Sequence, residues 1–426
     1  MDANPVTLGA YWRLVRDNRN FRRIWAAQVV SEIGDWFYSL AIYSLLLELT
    51  GRAEAVGIAV VLQVLPQTLV GPAAGVINDR VSRKRVMIAA DLARMVIVAG
   101  MLLARSQSTV WLVYPLLLLE TVGAAFFEPA RSAVLPNITP AGALIAANTL
   151  SSTTWSLNLA IGATLGGVVA AVLGRDAVFA LNTLSFLASA VLIAGMRFEE
   201  PHTRGKAPFR ARELADFTPF LEGLRYIRRD PSLFATVFVK AGVGLMGSNN
   251  VILPILGQRE FAVHAAGIDA GRAGMLGMSV LMGSRGVGAL LGPLMAARWG
   301  GSNRRRLRLG ILAGFLLAAI GYVSLGEAPR LWLACLAVVL SHMGGSTNWV
   351  FSTTLLQLET EDRFRGRVFS ADLGLCLLTI SASSYAAGLA IDHGTTARVA
   401  SIWTGIGMLL PALGWGLALR ALRFRE

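Results

Sequence analysis

Residues Gly75–Met87 read GVINDRVSRKRVM. An apolar run of about 20 residues ends in this stretch and another begins at its far end, each long enough to cross a hydrocarbon core ~30 Å thick. Between them Asp79, Arg80, Arg83, Lys84 and Arg85 are compressed into a short turn. A basic turn joining two membrane-length runs is the signature of a polytopic membrane protein, because arginine and lysine hold such a turn on the cytoplasmic side.

The rest of the chain repeats that pattern. Of 426 residues 54% are hydrophobic and 15% charged, with a mean hydropathy of +0.57. A soluble domain carries roughly 25% charged residues, so a large soluble domain is excluded. The 44 glycines fit close packing of membrane helices. The net charge of +13 invites a nucleic-acid reading, but the bases are scattered through short loops, so no nucleic-acid partner is expected. Cys335 and Cys376 fall inside apolar runs and read as packing residues. The arginine-rich, amphipathic Tyr11–Trp25 leads straight into a full span, with no cleavable leader apparent.

The periodicity predicts twelve spans, near 22–48, 54–77, 85–104, 110–133, 145–172, 178–196, 233–255, 272–297, 307–326, 331–355, 368–391 and 399–420. One alternating set of loops and ends carries 29 lysines and arginines and the other 7, which puts the first set and both termini in the cytoplasm. The expectation is an all-α membrane protein of two six-helix pseudo-symmetric bundles, at 1–196 and 233–426. A cytoplasmic linker at 197–232 joins them, and its FTPFLEGLRYIRRDP segment should lie on the membrane surface as an amphipathic helix. An internal repeat supports the division. Gly71-Pro72 and Arg83-Lys84-Arg85 recur 221 residues later as Gly292-Pro293 and Arg304-Arg305-Arg306, and many secondary transporters are built from such repeated halves.

Gly75, Asp79, Arg80, Arg83 and Lys84 resemble the loop signature of the major facilitator superfamily between its second and third helices, with Ser82 where a glycine is usual. Three further segments, NRNFRRIWAAQVVSEIGDWFY (Asn18–Tyr38), FFEPARSAVLPNITPAGALIAANTL (Phe126–Leu150) and LLQLETEDRFRGRVFS (Leu355–Ser370), look like a bacterial exporter branch. That branch holds enterobactin-type siderophore exporters and macrolide efflux proteins. The resemblance covers essentially the whole chain and implies the major facilitator fold, alternating access and, in many members, inward proton flow. In the fifth span Gly162-Ala163-Thr164-Leu165-Gly166-Gly167 matches the superfamily's antiporter motif only in part, lacking its proline.

An ionisable side chain inside a span costs on the order of 2.5–3.5 kcal/mol and needs a reason. Gln28, Glu32, Asp35, Ser39 and Tyr43 recur at helical spacing and form one stripe on the first span. Asp35 and Glu32, with Glu120 in the fourth span, are the candidate proton carriers. The alternative is that they pair with a base for packing: Arg94 for Glu120, and Lys240 or Arg285 for the first-span acids. Arg285 reads equally as a counter-ion or as the anchor of an anionic substrate, and Lys240 as either or as a snorkelling lysine. Candidate cavity residues are Gln28, Ser39, Tyr43, Asn249, His342, Asn348 and Trp349; Ser39 has the competing option of bonding its own helix backbone. Candidate cytoplasmic-gate residues are Gly75, Asp79, Arg80, Arg83, Lys84, Asp91, Arg94, Glu128, Arg131, Arg365, Arg367 and Asp372. Met275, Met278 and Met282 read as helix packing.

The sequence holds no phosphate-cradling loop, no zinc-ligand spacing and no hydrolase constellation, so no enzyme, metal or cofactor is expected. The expectation is a monomeric secondary transporter of the bacterial cytoplasmic (inner) membrane that exports small amphipathic compounds, of drug, macrolide or siderophore type. It would contribute to multidrug resistance or siderophore export, driven by proton antiport, with protons, a small-molecule substrate and membrane lipid as its partners. The alternatives are a lipid or lysophospholipid flippase on the same fold, and a non-transporting membrane sensor or assembly partner.

Overall fold

The computed structural model describes residues 8–140, 143–200, 218–264, 268–300 and 303–421, and every regular element among them is helical. In chain order the helices are α1 (Leu8–Asp17), α2 (Arg19–Thr50), α3 (Ala53–Arg80), α4 (Arg83–Gly100), α5 (Val113–Ile138), α6 (Leu144–Leu173), α7 (Arg175–Ala194) and α8 (Thr218–Arg229). They continue as α9 (Pro231–Gly244), α10 (Asn249–Arg259), α11 (Ala270–Gly300), α12 (Arg304–Glu327), α13 (Leu331–Glu359), α14 (Asp362–Asp392), α15 (Ala397–Gly407) and α16 (Leu409–Ala421). A 3-10 turn at Leu245–Ser248 joins α9 and α10 into one span, and α15 with α16 makes another.

Ten segments are long and apolar enough to cross a membrane by length and composition. The other two of the twelve expected spans are α2 and α13, 32 and 29 residues long. At about 1.5 Å per residue both exceed a ~30 Å core. Polar residues dilute them: Glu32 and Asp35 in α2, Ser341, His342 and Asn348 in α13. The spans that read least like membrane helices therefore carry much of the buried polarity.

Side-chain burial has the membrane sense. Leu410, Leu413 and Leu417 of α16 are 64–70% exposed, while Asn182, Asp372, Asn348 and Ser384 are fully buried. Apolar surface facing lipid costs nothing, and each polar group must find its partner within the protein.

The helices group into two compact units, Met1–Ala41 with Pro66–Asp216 and Ile42–Leu65 with Phe217–Glu426. The segment Ile42–Leu65 thus joins the second unit, where an equal division after residue 196 would have left it in the first. The Asp392 carboxylate at the end of α14 explains this. It accepts the Ala53 and Glu54 amides at 2.7 and 2.8 Å and so caps α3. Arg259 donates to the Gly51 carbonyl at 2.9 Å and the Tyr385 hydroxyl to Glu54 at 3.0 Å.

In the first unit α6 seats on α2 through glycines. A Cβ at Gly162 would stand 2.9 Å from Trp36, and one at Gly166 3.0 Å from Phe37. The incomplete antiporter motif therefore serves as a packing seat directly beside Asp35. Leu14 of α1 joins a core with Phe21, Ile24, Met87, Phe127 and Val134, so the amphipathic amino-terminal helix is bound to its own unit. Between α3 and α4, Ser82 has an ordinary φ of −55° and its hydroxyl accepts the Arg85 amide at 3.2 Å. The turn needs no positive φ, so a helix-capping serine serves there.

In the second unit Gly257 and Gly277 let α10 and α11 touch, and Gly288 and Gly292 do the same for α11 and α13. Met275, Met278 and Met282 are buried packing residues. Part of the apolar side of the linker helix α8 packs on protein, while its Leu221 is 48% exposed. Tyr226 stacks on Phe364 at 4.3 Å, and Ile227 joins Leu233, Val237, Leu356 and Val368. Gly223 allows the approach to Arg367, whose guanidinium pairs with Glu222 at 2.8 Å. Linker residues 201–217 lie outside the described residues.

Candidate functional site

Each unit holds a polar centre within its membrane-spanning helices. In the first, Arg94 of α4 is the hub. Its Nη2 bonds Asp35 Oδ2 of α2 at 3.0 Å and Glu120 Oε1 of α5 at 2.5 Å, and its Nε also reaches Glu120 at 2.7 Å. The guanidinium lies 4.1 Å above the Phe186 ring of α7. It can cross α5 because Gly123, one turn from Glu120, has no side chain: a Cβ there would meet Arg94 Cγ at 2.8 Å. Asp35 Oδ1 is buried with no hydrogen-bond partner.

One turn along α2, Glu32 accepts from Gln28 at 2.8 Å and from Asn158 of α6 at 2.9 Å. Gln28 also donates to the Ser151 carbonyl. Asp91 of α4 accepts from the Ser189 hydroxyl at 2.6 Å. The predicted stripe therefore divides. Gln28, Glu32 and Asp35 enter this network, while Ser39 donates to the Asp35 carbonyl of its own helix at 2.9 Å. Tyr43 belongs to the second unit, where its hydroxyl donates to Gln63 at 2.7 Å.

The second centre lies at the broken seventh span. Asn249 and Asn250, the first residues after the 3-10 turn, accept from Arg285 Nη1 at 3.1 and 2.7 Å. The backbone freed by the break is rebonded by serines: Ser383 and Ser384 of α14 donate to the Gly244 and Gly247 carbonyls. Tyr322 of α12 meets the His342 ring edge-on at 6.1 Å. His342 Nδ1 is held by Ser341 and the Val338 carbonyl, while its Nε2 is buried without a partner. The base bonded to Asp35 and Glu120 is Arg94, while Arg285 and Lys240, the other candidate counter-ions, are bonded within the second unit.

Lys240 is 4% exposed and does not snorkel; its ammonium pairs with Asp372 at 2.5 Å and lies over the Trp349 ring at 4.7 Å. Asp372, a gate candidate, is therefore the acid of this buried pair. Asn348 departs from a cavity role because it is wedged against Gly314 of α12 and fully buried. With its amide oriented to satisfy both ends, it spans the Ile311 carbonyl and the Phe315 amide. Arg94 departs from the gate assignment, being 5% exposed at the centre of the acidic network.

The loop residues stand at helix ends. Asp79 and Arg83 pair at 3.7 Å, and Arg83 also donates to the Ala133 carbonyl. Lys84 donates to the Met196 carbonyl, and Glu128 pairs with Arg131 at 2.7 Å. Arg80 ends α3, Gly75 has open space at its Cα, and Arg365 reaches the Gln357 carbonyl at 3.4 Å.

Sequence reasoning missed Asn158, Gln63, Asn250 and the buried Arg308–Glu359 pair at 2.9 Å. Asn158 and Gln63 are amides in otherwise apolar runs, and that isolation was the available signal. Arg308 stands at the edge of the predicted span 307–326 and Glu359 just beyond the one at 331–355, where charges read as loop residues.

Among curated proteins, the chain is 28% identical over 371 residues to "Macrolide efflux protein A" of Streptococcus pyogenes, covering 84% of this chain and 85% of that one. It is 24% identical over 311 residues to "Putative bacilysin exporter BacE" of Bacillus subtilis, covering 72% and 73%. Among solved structures, a POT family transporter bound to a thioalcohol-conjugated peptide superposes with a TM-score of 0.74, covering 95% of this chain and 97% of that one at 12% identity. The nucleoside transporter NupG gives 0.71 at 10% identity, covering 93% and 99%. At such identities the likeness is one of fold. The sequence pattern named Major Facilitator Superfamily matches residues 24–372, and the chain belongs to that superfamily.

Proposed function

We propose that this transporter exports small amphipathic compounds by alternating access and exchanges them for protons carried by the Asp35–Arg94–Glu120 cluster. The observation that carries the reading is the shared guanidinium: two carboxylates bond one Arg94, and Asp35 Oδ1 is left without a partner. Two carboxylates and one guanidinium sum to one negative charge, which a single proton brings to neutrality in a medium where uncompensated charge is costly. A proton on Asp35 replaces a charged bond to Arg94 with a weaker one and loosens α2 from α4. Glu32, held by Gln28 and Asn158 one turn away, is the second carboxylate on the path.

Protonation from outside favours cargo release and return; deprotonation inside favours loading. The relatives named for macrolide efflux and bacilysin export support an outward direction and small-molecule cargo. The ion pairs Asp79–Arg83 and Glu128–Arg131 in the first unit, and Glu222–Arg367 in the second, then serve as gating contacts of their own units. The basic face, with both termini, is the cytoplasmic side of a bacterial inner membrane.

The test uses proteoliposomes and a radiolabelled macrolide. Asp35→Asn should fold normally and lower pH-gradient-driven efflux at least about tenfold, while exchange at equal pH on both sides persists. Unchanged gradient-driven efflux by this variant removes Asp35 from the mechanism.

A further inference from the structure

The arginine of the second centre differs from every other buried base described above. Arg94, Lys240 and Arg308 each bond a carboxylate at 3.0 Å or less. Arg285, midway along α11, has no carboxylate partner among the described residues. Its Nη1 is taken by two neutral amides, and its Nε and Nη2 bond nothing among the described residues. These two nitrogens are also absent from the occluded, unpartnered atoms of the molecule, so they border open space. A guanidinium in a span costs several kcal/mol unless compensated, and amide oxygens supply only partial charge. The fold leaves the missing negative charge to something that is not part of the chain.

Three features shape that place for a ligand. First, the seventh span is interrupted at Leu245–Ser248, immediately before the amides that hold Arg285. Interrupted helices at mid-membrane are where transporters of this general build expose polar groups to cargo, and a mid-helix 3-10 stretch often marks a hinge. Second, α11 is pinned by Gly288, where any Cβ would meet Val339 and His342 of α13. The Arg285 backbone is therefore fixed one turn away. Third, the surroundings are aromatic and polar together. Tyr322 and His342 pack edge-on at 6.1 Å, and each keeps a buried polar atom without a partner. Two amides orient the fork while Nε and Nη2, adjacent on one edge of the guanidinium, stay open. That edge matches a carboxylate bidentately.

We infer that Arg285, oriented by Asn249 and Asn250, is a binding site for a carboxylate on the transported molecule. The cargo is then an anionic or zwitterionic amphiphile, and a purely cationic drug lacks the group this site requires. The word cargo rests on the export reading; the carboxylate preference rests on the second unit alone.

Rhodamine B, an amphipathic dye with one free carboxylate, and its methyl ester are the probes. Binding is measured by fluorescence anisotropy on the purified full-length protein, in chloride and in gluconate buffer. The wild type should bind the acid roughly 10- to 100-fold more tightly than the ester, as one charge-assisted hydrogen-bonded pair implies. Arg285→Gln should abolish the preference for the acid over the ester, and Arg285→Lys should retain part of it. The acid-to-ester ratio of the wild type needs no variant, so misfolding of either one leaves the test standing. Equal binding of the two dyes, absence of acid binding up to millimolar concentration, or a preference that survives in Arg285→Gln overturns the inference. Displacement of the acid by chloride as readily as by benzoate overturns it too, because Arg285 would then be an inorganic-anion site. Vesicle transport separates this from the export reading. Gradient-driven efflux of both dyes without preference discards only the carboxylate site, and carboxylate-selective binding with no efflux discards export.

Discussion

At the scale of residues, the molecule sorts its buried charges by how completely each is matched. Among the described residues Arg94 answers two carboxylates, Lys240 and Arg308 pair with Asp372 and Glu359, and Arg285 bonds no carboxylate. Removing a buried base while leaving its acids costs about 3–5 kcal/mol. Arg94→Ala should therefore lower the melting temperature and the folded yield sharply, as measured by fluorescence-detected size exclusion after heating. Adding Asp35→Asn and Glu120→Gln to it should recover most of the loss, since no uncompensated acid then remains in the cluster; failure of that rescue would mean Arg94 holds the fold by packing on Phe186 instead. The residue types of this network were legible, because Glu32, Asp35, Arg94 and Glu120 all interrupt apolar runs. Their pairing was not. Periodicity places side chains on faces of one helix, whereas the choice of Arg94 over Arg285 or Lys240 depends on which helices approach, and that is decided far along the chain by Gly123 and Phe186.

At the scale of elements, glycine decides which helices come close. Gly162 and Gly166 bring α6 onto Trp36 and Phe37, while Gly71 has open space where a side chain would go. Gly162→Val and Gly166→Val should each destabilise by about 1–3 kcal/mol through overpacking, and Gly71→Ala should leave the melting temperature unchanged. Equal effects of all three would mean the seat is not tight. The helix positions were readable from twenty-residue apolar runs. Two things at this scale were not. The 3-10 break at Leu245–Ser248 leaves the hydropathy of the span intact, so no gap appears in the sequence. The docking of α8 on Phe364 depends on a partner more than a hundred residues away, and an amphipathic helix looks the same whether its apolar face meets lipid or protein.

At the scale of the whole molecule, the topology carries its own prediction. If the basic loops mark the cytoplasm, green fluorescent protein fused after Arg420 should fluoresce, and alkaline phosphatase fused at Arg330 should be active; the opposite pair of results would invert the chain. The 221-residue offset that relates Gly71-Pro72 to Gly292-Pro293 also sets Gln28 against Asn249. Each of these amides is bonded to the charge of its own centre, Gln28 to Glu32 and Asn249 to Arg285. Equivalent positions of the repeat have thus kept an amide and acquired opposite electrical sign next to it. A gene fusion of two identical amino-terminal halves would double the acids and supply no unmatched guanidinium, and two carboxyl-terminal halves would do the reverse. Each half therefore holds a chemistry the other lacks, so neither could be rebuilt by copying its sibling.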